Sequence, residues 1–248
     1  DKLSPKAEKI FLDRGIDVDV ITGLDRDDLI KIIDKYDGLA IRSSTKVTEK
    51  VLQASDNLKV IGRAGIGVDN VDIPFATSKG IAVMNTPFGN AITTAEHAIS
   101  MTMSLLRNIP QANQSTHLGR WEKSKYMGTE ITGKTMGIIG CGNIGSIVAD
   151  RALGLKMKVI AYDPFLTEEK ALEIKVKKVE LDELLKLSDV ITLHVPLTDQ
   201  TENIINRKSL KDCKDGVFII NCARGGLVNE EDLKDNLDSG KVAGAAID

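Results

Sequence analysis

The sequence predicts an α/β protein built from two doubly wound parallel-sheet domains, spanning residues 1–88 and 89–248. Three observations carry that expectation. Apolar runs of strand length alternate with segments of helical periodicity along the whole chain, the pattern of parallel sheets covered by helices on both faces. A glycine-rich turn follows one of these runs, in the stretch from Lys134 to Asp163, and no comparable turn follows the earlier ones. A length of 248 residues is enough for two hydrophobic cores.

The turn reads Gly140-Cys141-Gly142-Asn143-Ile144-Gly145. An apolar strand leads into it and an amphipathic helix leaves it. A second apolar strand then ends at Asp163, eighteen residues past Gly145. Each part has a task in holding a dinucleotide. Gly140 permits the tight turn, Gly142 lets the backbone approach a pyrophosphate, and Gly145 lets the helix pack closely on the sheet. The free N–H groups at the helix start face the phosphates. Asp163 stands where a carboxylate accepts hydrogen bonds from both ribose hydroxyls and repels a 2′-phosphate, and Pro164-Phe165 supplies no cation beside it. The second domain is therefore expected to be a Rossmann domain that binds NAD rather than NADP.

Taken in order, residues 5–14 have a short helical pattern, and Val18, Val20 and Ile21 form a strand candidate. Leu29, Ile32 and Ile33 recur at helical spacing, as do Val51 and Leu52, and residues 38–41, 58–61 and 81–84 are strand candidates. Thr93 and Glu96 read as a capping box opening a helix that runs to about Asn108 and is limited by Pro110. That helix is apolar over more than one side, as suits one shared between domains or subunits. Residues 111–131 read as a polar loop with the one tryptophan, Trp121, among Arg120, Lys123 and Lys125. A loop of that length points to a subunit contact as readily as to a solvated surface. Downstream, Leu181 to Leu187 form a helix, Val190 to Val195 and Val217 to Asn221 form strands, residues 229–239 a helix, and Val242 to Ile247 the last strand.

Hydrophobic content of 42% and charged content of 28% are ordinary for a globular domain. A net charge of −3 gives no general attraction to nucleic acid or to an anionic membrane, so neither is expected as a partner. An anionic substrate must be held by local cations. Cys141, Cys213 and Cys222 are too few and too scattered for a disulfide framework or a zinc site, and no metal is expected. With no signal peptide and no long apolar run, the expected compartment is the cytoplasm. Both ends look cut: the first residues read as a turn into a helix, and the last as the tip of a strand.

In a doubly wound sheet, ligands bind beyond the carboxyl ends of the strands, where the strand order reverses. Gly140, Asp163, the His194-Val195-Pro196 corner, Cys222-Ala223-Arg224 and Asp248 are expected at such positions. Arg224, between an apolar strand and Gly225-Gly226, could grip a carboxylate bidentately and polarise an adjacent carbonyl. The alternative is an arginine paired to a surface acid. His194 is read as part of the cofactor wall rather than as an acid–base group, His97 as facing a packed helix, and His117 as a loop residue. Asp248 could receive the nicotinamide amide or orient the ring. In the first domain, Arg42, Lys46 and Arg63 stand in two strand-end loops and could hold a phosphate or a second anionic group.

With these residues assembled, the whole chain resembles the D-isomer-specific 2-hydroxyacid dehydrogenases. The resemblance rests on Arg42 to Lys46, Gly62 to Asn70, Asn85 to Asn90, Arg120 to Gly128, Gly140 to Gly145 and Asn221 to Gly226. The Arg63 loop and the Arg120 to Gly128 run are closer to the branch with phosphorylated substrates. The resemblance implies NAD as cofactor and a flavodoxin-like substrate-binding domain ahead of the Rossmann domain. It implies reversible oxidation of 3-phosphoglycerate to 3-phosphohydroxypyruvate, the entry to serine biosynthesis. It also implies a homodimer, or a dimer of dimers, through residues 93–131. Of the family's Arg, Glu and His triad, Arg224 matches the arginine that binds the substrate carboxylate and carbonyl. The other two fall after Asp248, so these 248 residues are expected to bind NAD(H) without turnover. Arg42 and Arg63, and more weakly Lys46, resemble the family's substrate-anion contacts. Cofactor contacts carry over to Asn143, Ile144, Asp163, Val195, Cys222, Ala223 and Asp248. Ile66 and Val195 stand where relatives often have threonine, so a hydroxyl bond is lost there and a slightly weaker cofactor grip is expected. Two other readings stay open: a glyoxylate or hydroxypyruvate reductase of the same family, and a non-catalytic, NAD-responsive binding protein on the same fold.

Overall fold

The computed structural model describes residues 1–248 and divides them into two compact units, Asp1–Asn90 and Ala91–Asp248. In the first unit, α1 (Pro5–Leu12) is started by Ser4, whose Oγ accepts the Lys6 N–H, and none of its residues is buried. No strand forms at Val18, Val20 and Ile21, which corrects the sequence expectation. Val20 and Ile21 are exposed, and β-propensity without a partner strand or a covered face gives no strand. Asp25 caps α2 (Arg26–Ile32) by accepting the Asp28 N–H. There follow β1 (Gly38–Ile41), α3 (Glu49–Gln53), β2 (Val60–Arg63), α4 (Ile73–Ser78) and β3 (Ala82–Asn85). The strands are parallel in the order β1-β2-β3, with Ile41 opposite Arg63 and Arg63 opposite Asn85. Leu29, Ile33, Val51, Leu52 and Ala76 close a small core around Ile41, Ile61 and Ile81.

The second unit opens with α5 (Ala91–Leu106). It begins two residues before the expected cap, so Thr93 and Glu96 lie inside the helix and form no capping box. Burial of Ala91 together with Ala95 and Ala98 extends the apolar face upstream, and that packing overrides the local cap signal. Pro110 does more than end this helix. Asn108 turns the chain with a φ of 52°, and Pro110 then sits in the first turn of α6 (Ile109–His117), where a missing N–H costs nothing. Much of the expected polar loop is therefore helical. A 3₁₀ turn at Lys123–Tyr126 follows, tied back by Ser115, whose Oγ donates to the Glu122 carboxylate at 2.7 Å.

The rest alternates strand and helix: β4 (Thr135–Ile139), α7 (Asn143–Gly154), β5 (Lys158–Tyr162), α8 (Glu168–Glu173), β6 (Lys177–Lys178), α9 (Leu181–Leu187), β7 (Val190–Leu193), α10 (Arg207–Asp212), β8 (Val217–Asn221), α11 (Glu230–Asp238) and β9 (Val242–Ile247). All six strands are parallel, in the order β6-β5-β4-β7-β8-β9. The order reverses between β4 and β7. Side chains alternate between two cores, as a strand period of two requires. Met136, Ile138, Ala161 and Ile220 pack with Ala95 and Ala98 of α5 and Val148 and Ala152 of α7. Ile139, Ile160, Ile191, Leu193 and Ile219 pack with Leu184 and Leu185 of α9, Leu210 of α10 and Leu233 of α11. Burial on both faces is why these strands read as unbroken apolar runs.

At the amino end of the sheet, Asp189 accepts the Thr135 N–H at 2.7 Å and the Lys214 ammonium at 3.0 Å. Burial works to raise its carboxyl, but the Thr135 bond and the Lys214 charge outweigh burial and hold it below the usual carboxylate value.

Candidate functional site

The second sheet lines up its carboxyl ends with little stagger. Tyr162, Ile139, Leu193, Asn221 and Ile247 pair in one row across β5, β4, β7, β8 and β9. One residue further along each strand stand Asp163, Gly140, His194, Cys222 and Asp248. Four inter-strand gaps of ~4.8 Å make this second row about 19 Å long, a span suited to an extended dinucleotide. Backbone bonds hold the row: Gly140 N–H to Tyr162 carbonyl at 2.9 Å, His194 N–H to Ile139 carbonyl at 2.8 Å, and Asp248 N–H to Asn221 carbonyl at 3.0 Å. The reversal between β4 and β7 falls between Gly140 and His194, where a crevice opens in such sheets.

The glycine turn fits a pyrophosphate on three counts. Gly140 has a φ of 90°, and a Cβ there would press on the His194 carbonyl and the Val195 side chain. A Cβ on Gly145 would collide with the Gly140 carbonyl, so only glycine lets the first turn of α7 sit this close to the loop. A Cβ on Gly142 would meet nothing within 4 Å, which leaves open space over the amino end of α7. That end has no side-chain cap, so the N–H groups around Asn143 and Ile144 are offered to a ligand. NAD, when bound, supplies the hydride acceptor; the residues present suit its phosphates and its ribose.

Asp163 is fixed by the turn it serves. One carboxylate oxygen accepts the Cys141 N–H at 2.8 Å and the other accepts the Phe165 N–H at 2.8 Å. Each oxygen keeps lone-pair capacity for a ribose hydroxyl. The same acid helps to suppress Cys141: burial first, then the Asp163 charge, push its thiol up to about 11.

His194 points inward. Its Nε2 lies 2.9 Å from the Thr192 hydroxyl, while its Nδ1 is buried without a partner. Burial pushes the ring down to about 4, so it is neutral at pH 7. A base that weak is poorly matched to taking a proton from an alcohol at neutral pH. Val195 lines the turn beside Gly140, and Pro196 is exposed, its carbonyl accepting the Thr201 hydroxyl at 2.6 Å.

Arg224 is positioned by a residue that the sequence reading did not single out. Asn221, buried at the end of β8, accepts the Ala223 N–H at 3.0 Å and donates from Nδ2 to the Arg224 carbonyl at 2.8 Å. An asparagine at a strand end bonding two residues onward is an Asx turn, and that was the available signal. The half-buried Arg224 guanidinium donates to the Ala223 carbonyl at 2.7 Å. Cys222, on the same turn, is buried, and burial followed by the Asp248 charge pushes its thiol up to about 11. His97 of α5 departs from its expected place against a packed helix. Its side chain is 45% exposed, with Nε2 3.7 Å from the Asp248 carboxylate. His117 lies in α6 rather than in a loop, its Nδ1 2.9 Å from the Asn113 carbonyl.

In the first unit, Arg42, Arg63 and Asn85 lie at the ends of β1, β2 and β3. Asn70 clasps their loops together, donating to the Arg42 and Thr45 carbonyls at 2.7 Å each. Asp1 accepts the Arg42 N–H at 2.7 Å and the Thr45 N–H at 3.2 Å. Asn85 donates to the Ile66 carbonyl at 2.7 Å, which fixes the Gly65-Ile66-Gly67 loop. The Arg63 guanidinium lies over Gly65, where a Cβ would collide with it. Arg42 and Lys46 are exposed and Arg63 is half-buried. Neither Asn70 nor Asn85 stood out in the sequence as an anchor.

A parallel sheet with a strand reversal, a glycine turn at that reversal and an acid one strand away define an α/β dinucleotide-binding protein. Residues 99–248 match the model of the D-isomer specific 2-hydroxyacid dehydrogenase NAD binding domain. The chain is 49% identical over 246 residues to D-3-phosphoglycerate dehydrogenase of Archaeoglobus fulgidus, covering 99% of this chain and 47% of that protein. It is 47% identical over 248 residues to the human D-3-phosphoglycerate dehydrogenase, covering 100% of this chain and 46% of that one. Among solved structures it is similar to a glyoxylate reductase from Paecilomyes thermophila, with a TM-score of 0.92, 32% identity and coverage of 100% and 79%. It is also similar to an NAD-dependent formate dehydrogenase from Staphylococcus aureus in complex with NAD, with a TM-score of 0.88, 31% identity and coverage of 98% and 73%. The chain belongs to the D-isomer-specific 2-hydroxyacid dehydrogenase family and carries its NAD-binding domain. It spans about half the length of the curated relatives it matches.

Proposed function

We propose that the protein carrying this chain is an NAD-dependent dehydrogenase that oxidises 3-phosphoglycerate to 3-phosphohydroxypyruvate, the first step of serine biosynthesis. The observation that carries the reading is the row Asp163, Gly140, His194, Cys222 and Asp248 with Arg224 beside it. Asp163 takes the adenosine ribose, the Gly140–Gly145 turn the pyrophosphate, and the His194–Pro196 corner with Cys222, Ala223 and Asp248 the nicotinamide side. Arg224 binds the substrate carboxylate in two-pronged fashion and polarises the carbonyl that forms at C2. Arg42 and Arg63, with Lys46 as a weaker contributor, hold the distal phosphate. The names of the relatives at 46–49% identity support this substrate.

The protein works as a homodimer, or a dimer of dimers, in the cytoplasm. Trp121 at 85% exposure and Met127 at 78%, with Leu118 and Ile109 also exposed on the 93–131 stretch, are the apolar surface that a partner subunit would cover. No helix is long and apolar enough to cross a membrane.

The likeness to a glyoxylate reductase keeps a second reading in view, a reductase for glyoxylate or hydroxypyruvate. Steady-state kinetics of the whole protein separate the two. The proposal expects kcat/KM for 3-phosphoglycerate or 3-phosphohydroxypyruvate to exceed that for glyoxylate and hydroxypyruvate. The reverse order would replace it.

A further inference from the structure

We infer that Asp1 is a positioning residue for the substrate-anion site: its carboxylate fixes the loop 42–46 so that Arg42 is presented to the distal phosphate. The inference rests on the proposed reading of Arg42 as a phosphate contact. One Asp1 oxygen accepts the Arg42 N–H at 2.7 Å and the Thr45 N–H at 3.2 Å, and the other accepts the Ser44 hydroxyl. Two N–H groups and a hydroxyl that converge on one anion make a small concavity, which the chain fills with its own acid. Bonds to an ionised acceptor are stronger than neutral ones, so one side chain can hold the turn of the whole loop. A carboxylate repels a phosphate, and Asp1 therefore acts through the backbone of Arg42 rather than on the ligand.

The loop's carbonyls are held separately. Asn70 Nδ2 donates to the Arg42 and Thr45 carbonyls at 2.7 Å each. At the far end of the loop the Val47 N–H donates to the Asn70 carbonyl at 2.8 Å, and the Val47 carbonyl accepts the Asp72 N–H at 2.9 Å. Arg42 and Thr45 thus have both backbone groups bonded, and the exposed side chains of Arg42, Ser43 and Lys46 are left to meet a ligand. Fixing the backbone from both polarities lowers the ordering cost when an anion binds. Asp1 lies 41 and 44 residues from the two N–H groups it holds, so no local sequence pattern marks the role.

Two readouts in the whole protein test the inference, one of them without substrate. Asp1→Ala should speed amide exchange in a peptide covering residues 42–46 by roughly tenfold or more, while a peptide covering β2 and the affinity for NADH keep their parental values. In steady-state kinetics Asp1→Ala should raise KM for 3-phosphohydroxypyruvate by roughly threefold or more, with kcat within about twofold. Asp1→Asn should restore most of both losses, because the amide oxygen can accept the two N–H groups and the amide nitrogen can donate to Ser44. Added to Arg42→Gln, Asp1→Ala should raise KM no further, since it acts through that arginine. Unchanged exchange in residues 42–46, an unchanged KM in Asp1→Ala when Arg42→Gln raises it, or two effects that add in full would overturn the positioning role alone. A KM unmoved by Arg42→Gln would overturn the phosphate reading of Arg42, and this inference with it.

Discussion

The two units present ligand-competent residues at the same structural place, the carboxyl ends of parallel strands, and equip that place with opposite chemistry. In the first unit the strand order runs β1-β2-β3 without reversal, and the strand ends carry Arg42 and Arg63, held by asparagine clasps. In the second the order reverses between β4 and β7, and the strand ends carry glycine backbone, two carboxylates and a neutral histidine. Cations on long side chains can seize a small anion of varied shape. A dinucleotide needs backbone N–H groups within close reach and acids for its hydroxyls. On the proposed function, the same supersecondary unit would serve two ligands according to what its loops offer, with the reversal supplying the crevice for the larger one.

Substitutions can break or sharpen this contrast. The largest effect is expected at Gly145. In an open helix, glycine to alanine gains up to ~1 kcal/mol, but here the new Cβ meets the Gly140 carbonyl. Gly145→Ala should therefore lose about 1–3 kcal/mol in urea unfolding, the usual cost of overpacking, and NADH binding with it. A gain in stability would show that α7 can back away from the turn.

Next comes Asp163. Removing its carboxylate would delete the charge-assisted ribose bonds of the proposed site and frees the Cys141 and Phe165 N–H groups that it holds. Asp163→Ala should weaken NADH by about 1.5–3 kcal/mol, roughly ten- to a hundredfold, and narrow the gap to NADPH. Calorimetric titration with both nucleotides measures it, and an unchanged NADH affinity would remove Asp163 from the site.

Asp189 is a smaller effect, on stability alone. Asp189→Ala should cost about 1–2 kcal/mol through the lost Thr135 and Lys214 bonds. Because folding lowers this carboxyl, its contribution is present above the ordinary carboxylate value and is lost as pH falls through the folded one. The difference between the parent chain and Asp189→Ala should shrink in denaturation curves taken below about pH 4. A difference that grows on acidification would contradict the assignment.

Arg63→Gln should move NADH affinity least, by no more than about twofold, within ~0.4 kcal/mol, while raising KM for 3-phosphoglycerate in the whole protein. A large loss of NADH affinity would break the division of labour between the units.

Much of this was legible in the sequence because each signal was local. Gly140, Gly142, Gly145 and Asp163 sit at spacings fixed by one strand, one turn and one helix, and the both-sided burial of β4, β7 and β8 makes those strands continuous in composition. The misses were tertiary. Val18 to Ile21 have strand composition but no partner, and Thr93 has a cap pattern overridden by the burial of Ala91. Pro110 reads as a stop until Asn108 turns the chain and makes it a start. Helices α8 and α10 and the two-residue β6 are too short and polar to show periodicity. The anchors Asn70, Asn85 and Asn221 act through backbone groups far along the chain or round a turn, and side-chain type alone does not announce that role.

The central claim is that the row from Asp163 to Asp248 holds NAD. Titration of the 248-residue chain with NADH and NADPH, followed by nicotinamide fluorescence, tests it most directly. One NADH per chain, bound at least roughly tenfold (~1.4 kcal/mol) more tightly than NADPH, is the predicted result. Failure to bind NADH, or equal affinity for the two nucleotides, would contradict it.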